Sequence, residues 1–273
     1  MKFSICNEFC TGWKIDDVFR FAADVGYNGV EIAPFTLADD IRRMDAGKRK
    51  RIKESAEASQ VEIVGLHWLL VKPGGMYINH PDAKIRKETL EFMTDLIGFC
   101  ADLGGKIMVI GSPKQRSVHK DLTFEKAWSY ARQVFSACAK MAEKKGVTLC
   151  VEPLARTETN FINTHQEAIR MIEEVSSPNF RLLLDVKAMS DEVMEIPDII
   201  AESAPHLAHF HANDANLRGP GFGDTDFVPI MNALKNIDYQ GYVSVEVFDF
   251  KPDPETIANK SYEYLQQSLA GIV

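Results

Sequence analysis

Four apolar runs in the second half of the chain each end on a side chain that can ligate a cation. VTLCVE ends on Glu152, RLLLD on Asp185, LAHFH on His211 and VSVE on Glu246. A β-strand that stops on a lone carboxylate or imidazole gives up burial unless that group has a partner or a function. Four in series point to side chains converging at one end of a parallel sheet. Three carboxylates and one imidazole suit a hard or borderline divalent cation such as Mn²⁺, Mg²⁺ or Co²⁺, with Zn²⁺ also compatible. Taken singly, each residue has a plainer role: a helix cap, an ion pair with an arginine or, for the histidine, a hydrogen-bonded core position. Their recurrence at consecutive strand ends, on the same face, argues for a shared site.

Bringing them together requires a strand–helix repeat, and eight strand-like segments are visible. They are KFSIC from Lys2, GVEIA from Gly29, VEIVGLH from Val61, KIMVI from Lys106, VTLCVE around Thr148, FRLLLD from Phe180, LAHFH from Leu207 and YVSVEV from Tyr242. Amphipathic stretches separate them. After the first strand, Ile15, Val18, Phe19, Ala22 and Val25 keep the spacing of one helix face, and Gly26 follows as a C-terminal stop. Gly104 and Gly146 repeat that punctuation, and Thr164 with Glu167 reads as a capping box opening the fifth helix. The alternation predicts a parallel sheet, and eight units predict an α/β fold closed into a single (β/α)8 TIM barrel over residues 1–273. No linker, low-complexity tract or second domain interrupts it.

The last four strands allow a sharper reading. Val147, Leu149 and Val151 share a face opposite Thr148, Cys150 and Glu152. Leu182 and Leu184 oppose Arg181, Leu183 and Asp185; Ala208 and Phe210 oppose Leu207, His209 and His211; Val243, Val245 and Val247 oppose Ser244 and Glu246. The apolar face is expected against the helices. The mixed face is expected inside the barrel, with its last residue at the catalytic mouth. Two connections there, residues 68–82 and 213–226, are long and read as loops that cover a substrate.

With 273 residues and 45% hydrophobic content, the chain has ample material for a large core. Its net charge of −8 offers no general attraction for nucleic acid or anionic lipid. Five cysteines without paired metal spacing read as buried thiols in a reducing cytoplasm. The N-terminal MKFSICNEFC meets Glu8 and Cys10 too soon for a signal h-region, and no apolar run is long enough to span a bilayer.

The set EP at Glu152-Pro153, LLLD ending at Asp185, HFHANDANLRGPGFGD from His209 and SVEVF around Glu246 resembles the xylose-isomerase-like TIM barrels. That superfamily holds sugar isomerases, ketose 3-epimerases, inosose dehydratases and an endonuclease branch. The resemblance covers essentially the whole chain, and EPLARTETNFINT from Glu152 looks most like the ketose 3-epimerases. It implies that Glu152, Asp185, His211 and Glu246 bind one divalent ion, Mn²⁺ being the first expectation, and that Glu152 and Glu246 double as an acid–base pair. A proton would leave the carbon beside a carbonyl to give a metal-stabilised enediolate, and its return to the opposite face would invert that centre. The implied substrate is a small sugar or sugar derivative, and the implied assembly a homodimer or tetramer.

The resemblance also points to Glu158, six residues after Glu152, and to Arg218 as substrate contacts; Arg218 needs a one-residue gap to match. His67 ends the third strand as either a substrate-side group or a core histidine. Trp13 and Trp68 are candidates for stacking on a sugar or for packing. His209 faces inward beneath His211 and is placed to orient it, while His80, His119, His165 and His206 read as surface residues. The chain departs from the epimerase pattern at Ala188, where a substrate-holding histidine is expected. Ala188, Phe227 and the segment Gly111 to Pro113 likewise lack the histidines of the endonuclease branch. Two other readings stay open: an inosose-type dehydratase on the same cation site, and a noncatalytic sugar-binding barrel.

Overall fold

The structure, a computed structural model, describes residues 1–271; Ile272 and Val273, the last two residues of the expected domain, lie outside them. The eight apolar runs form parallel strands β1 (Lys2–Cys6), β2 (Gly29–Ile32), β3 (Glu62–Leu66), β4 (Ile107–Ile110), β5 (Thr148–Val151), β6 (Phe180–Asp185), β7 (Leu207–Ala212) and β8 (Tyr242–Val245). They close in chain order, with β8 pairing back on β1 through Phe3 opposite Val243 and Ser4 opposite Ser244. Between them run α1 (Ile15–Val25), α2 (Ala46–Ala58), α3 (Ala83–Leu103), α4 (Phe124–Lys145) and α5 (His165–Val175). The short α6 (Val186–Met189) and α7 (Ile196–Ser203) follow β6, α8 (Phe227–Asn236) follows β7, and α9 (Pro254–Ala270) follows β8.

Local chemistry accounts for the helix ends. Gly26, Gly104 and Gly146 take left-handed backbone angles, with φ of 109°, 87° and 65°, and return their N–H groups to the last turns of α1, α3 and α4. Thr164 Oγ1 accepts from Glu167 N at 3.2 Å, as a capping box requires. The Glu167 carboxylate accepts from Asn163 N at 2.7 Å, one residue before the reciprocal partner that motif would use. His165, expected at the surface, is buried and bonded to Glu192 at 2.7 Å, because the chain after α6 folds over the start of α5.

The strand faces separate as the alternation predicts except at the start of β7, where the register with β6 shifts: Leu207 packs in the outer core and Ala208 against the inner cluster, the reverse of the expectation. Leu182, Leu184, Phe210, Val243 and Val245 join the helices in one continuous apolar core outside the barrel wall. Inside the wall the apolar content is slight: Val109, Cys150 and Leu183 form a small cluster of their own. Ile107 and Ala208 pack against it, and the polar side chains of the interior are fully buried, with Ser4, Glu31, His67, His209, His211 and Ser244 all at 0% exposure. All five cysteines are buried and unpaired. Among the described residues no helix is long and apolar enough to cross a membrane.

Candidate metal and active site

Strand register brings the four candidate ligands together. Asp185, the last residue of β6, lies directly opposite His211 in β7. Glu152 follows β5 and Glu246 follows β8, so both reach the barrel mouth from just past their strands. Each of the four offers an atom within 4.8 Å of the other three, and all four are buried.

Each side chain is held. Asp185 Oδ1 accepts from Ala188 N at 2.8 Å, capping α6, and its Oδ2 accepts from Asn213 Nδ2 at 2.5 Å. Glu246 Oε1 accepts from Trp68 Nε1 at 2.8 Å, and its Oε2 lies 3.0 Å from His211 Nδ1. Glu152 rests against Gly111, where an added Cβ would meet Glu152 Oε2 well inside contact distance. Gly111→Ala is therefore expected to push the Glu152 carboxylate aside. The expected outcome is a clear loss of cation affinity, read by calorimetry, with circular dichroism unchanged.

The electrostatics favour a cation. Burial, then the charges of Glu246 and Asp185, push Glu152 well above the usual carboxylate range. Burial and Glu246 push Asp185 up to about 6. Burial works to raise Glu246 too, but the charge and hydrogen bond of His211, helped by His67 and Trp68, hold it below its ordinary value. Burial works to lower His211, yet Glu31 and Glu246 outweigh it and raise the imidazole well above normal. Three buried carboxylates thus compete for too little positive charge, which is the environment a divalent cation with oxygen and imidazole ligands fits.

A cavity of ≈ 470 Å³ opens onto Glu152 and Glu246 and is lined also by His67, Trp68, Glu158 and Phe248. A depression of ≈ 390 Å³ elsewhere on the barrel, lined by Lys53, Glu62 and Tyr242, holds none of the four. Of the expected substrate contacts, His67 and Glu158 line the first cavity and Arg218 does not. Arg218 donates from Nε to Asp249 at 3.2 Å, which ties the loop after β7 to the segment after β8. Trp68 faces the cavity, whereas Trp13 packs edge-on against Phe21 at 5.3 Å.

Several neighbours were not anticipated. His67 Nε2 is 2.7 Å from Glu8 Oε2, a fully buried pair at the cavity wall. Lys187 Nζ donates to Glu158 Oε1 at 2.7 Å and lies 4.2 Å from the centre of the Phe248 ring, beside Ala188 where a histidine was expected. Arg116, wholly buried, donates to the Ile110 and Ile162 carbonyls and opposes the negative charge of Glu152. Beneath the site, Glu31 binds both His209 and His211.

Residues 19–268 match the family of xylose isomerase-like TIM barrels. The chain belongs to that family. Within it, the sequence is 32% identical over 242 residues to the D-psicose 3-epimerase of Ruminiclostridium cellulolyticum, covering 86% of this chain and 80% of that one. It is 26% identical over 266 residues to the fructoselysine 3-epimerase of Escherichia coli O157:H7, covering 91% of each. The crystal structure of a D-psicose 3-epimerase with D-tagatose from Clostridium cellulolyticum H10 superposes with a TM-score of 0.86 at 23% identity, over 100% of this chain and 99% of that one. That last likeness speaks to the fold. Together, the family and its named relatives make this xylose isomerase-like barrel an enzyme of the isomerase and epimerase class.

Proposed function

We propose that the chain is a divalent-metal-dependent ketose 3-epimerase acting on a small sugar or sugar derivative. The observation that carries this reading is the convergence of Glu152, Asp185, His211 and Glu246 at one buried point beside a cavity that both glutamates line. Asp185 and His211 would hold the cation with the two glutamates. The cation, Mn²⁺ in the first instance, would supply Lewis-acid stabilisation of charge developing on the carbonyl and adjacent hydroxyl oxygens.

The protein's own groups do the rest. One glutamate takes the proton from the carbon beside the carbonyl, giving the enediolate, and the other returns a proton to the opposite face. A second carboxylate is more than a binding module would need, and a pair allows inversion. The Trp68 indole fixes the direction of the Glu246 carboxylate, and Arg116 places a positive charge near Glu152. His67 and Glu158 contact substrate at the cavity wall. Glu158 does so as one half of its pair with Lys187, so the polar function lost at Ala188 is met by a different side chain. Arg218 would act through the loop it anchors. The buried, unpaired cysteines support a reducing, cytoplasmic setting.

A panel of ketoses, aldoses and inososes incubated with protein and Mn²⁺ in D₂O, with the metal chelated before NMR, tests the reaction. We expect deuterium at C3 of a ketose together with the inverted epimer. Deuterium with aldose–ketose conversion would instead mark an isomerase, and loss of a hydroxyl a dehydratase. Absence of exchange from every compound, with metal bound, would leave a sugar-binding barrel.

A further inference from the structure

Strand β2 reads GVEI, and its alternation sends Val30 and Ile32 into the outer core and Glu31 into the barrel. Glu31 is fully buried there, in contact with His211 of the proposed cation site. Its carboxylate accepts from His209 Nε2 at 2.6 Å and from Ser244 Oγ at 2.8 Å, and it lies 3.2 Å from His211 Nε2. Ser244 Oγ is shared in turn with Ser4 Oγ at 2.5 Å. His67 Nδ1 stands off at 3.8 Å from Glu31 Oε1. The donors to this carboxylate are therefore imidazole N–H groups and one hydroxyl, and two of them, His209 and Ser244, hold it by Oε2.

We infer that Glu31 is a positioning residue that selects the His211 tautomer and so aims Nδ1 at the cation; the inference rests on the metal-dependent reading above. A neutral imidazole carries one N–H and one lone pair. An ionised carboxylate only accepts, so a bond between Glu31 and Nε2 requires the proton to be on Nε2. Nδ1 faces Glu246 Oε2 at 3.0 Å, also an acceptor, so Nδ1 is bare only once a cation held among the four ligands takes its lone pair, and Glu31 then keeps the N–H on Nε2. His209 and Ser244 hold Glu31 in place, so it stays below His211 rather than rising to join the ligand set. A glutamine at 31 could offer either an acceptor or an N–H₂ to Nε2, and the selection would be lost.

Two measurements test this without relying on turnover. In the wild-type protein loaded with Mg²⁺, long-range ¹H–¹⁵N NMR should show His211 protonated on Nε2 and bare on Nδ1; a proton on Nδ1 overturns the inference whatever any variant does. Calorimetric Mg²⁺ titration of Glu31→Gln should show affinity weaker by about 10–100-fold, and an unchanged affinity overturns it. Wild-type protein that takes up no Mg²⁺ or Mn²⁺ would remove the metal reading itself and this inference with it. Binding that survives Asp185→Asn yet vanishes in Glu31→Gln would put the ion on Glu31, His209 and His211 instead, and would also overturn it.

Discussion

Glu152→Gln, at saturating Mn²⁺, is expected to lower turnover by about 10²–10⁴-fold, the usual worth of a positioned acid or base, or about 3–5 kcal/mol in the barrier. The substitution keeps the size of the side chain and an oxygen toward the cation, but removes the basic group. A more specific result should accompany the loss. With one glutamate disabled, the other can still remove and replace a proton on its own face, so one epimer should exchange its C3 hydrogen with D₂O without inverting. Glu246→Gln should show the same behaviour for the opposite epimer. Mass and NMR analysis of each epimer separately reads both outcomes. Full activity in either variant would strip that glutamate of its role, and exchange of both epimers by one variant would mean that a single group serves both faces.

Removing the cation should be felt by the fold as well as by the reaction. A ligand that binds only the native state stabilises it by RT ln(1 + [L]/Kd), about 2.7 kcal/mol at a hundredfold excess over Kd. Chelator treatment is accordingly expected to lower Tm by several degrees and abolish turnover, with both restored by Mn²⁺. His211→Ala should reduce metal content and should respond less to chelator, because Glu31 and Glu246 lose the group between them. Equal metal stoichiometry in wild-type and variant, measured by atomic emission, would count against His211 as a ligand.

The barrel was legible because its outer wall follows a simple rule. Strand residues facing the helices are apolar, so eight runs of period two separated by helical faces could be counted directly. The convergence of Glu152, Asp185, His211 and Glu246 was legible for a related reason, since each interrupts an apolar run at its last position. Glu31 escaped notice because a single glutamate within GVEI looks like an ordinary polar face; its meaning appears only when closure sets β2 across from β7. The parity argument used for β5 to β8, applied to Val30 and Ile32, would have pointed it inward. Glu8 sits in the turn after β1 and its partner His67 lies 59 positions on, a pairing no local pattern encodes. The sequence around Arg218 implies a substrate contact, but the loop after β7 turns it toward Asp249. Beside Ala188, Lys187 carries no sequence pattern of its own, yet its long side chain reaches Glu158 from the adjoining position.

The division between an oily exterior wall and a polar lumen has an evolutionary corollary. Helix packing outside β1 to β8 supplies the cohesion, while the lumen contributes little more than Val109, Cys150 and Leu183 to it. Chemistry and architecture are thereby stored in different residues. A lineage could rewrite the lumen, trading one substrate for another, without renegotiating the scaffold that presents it.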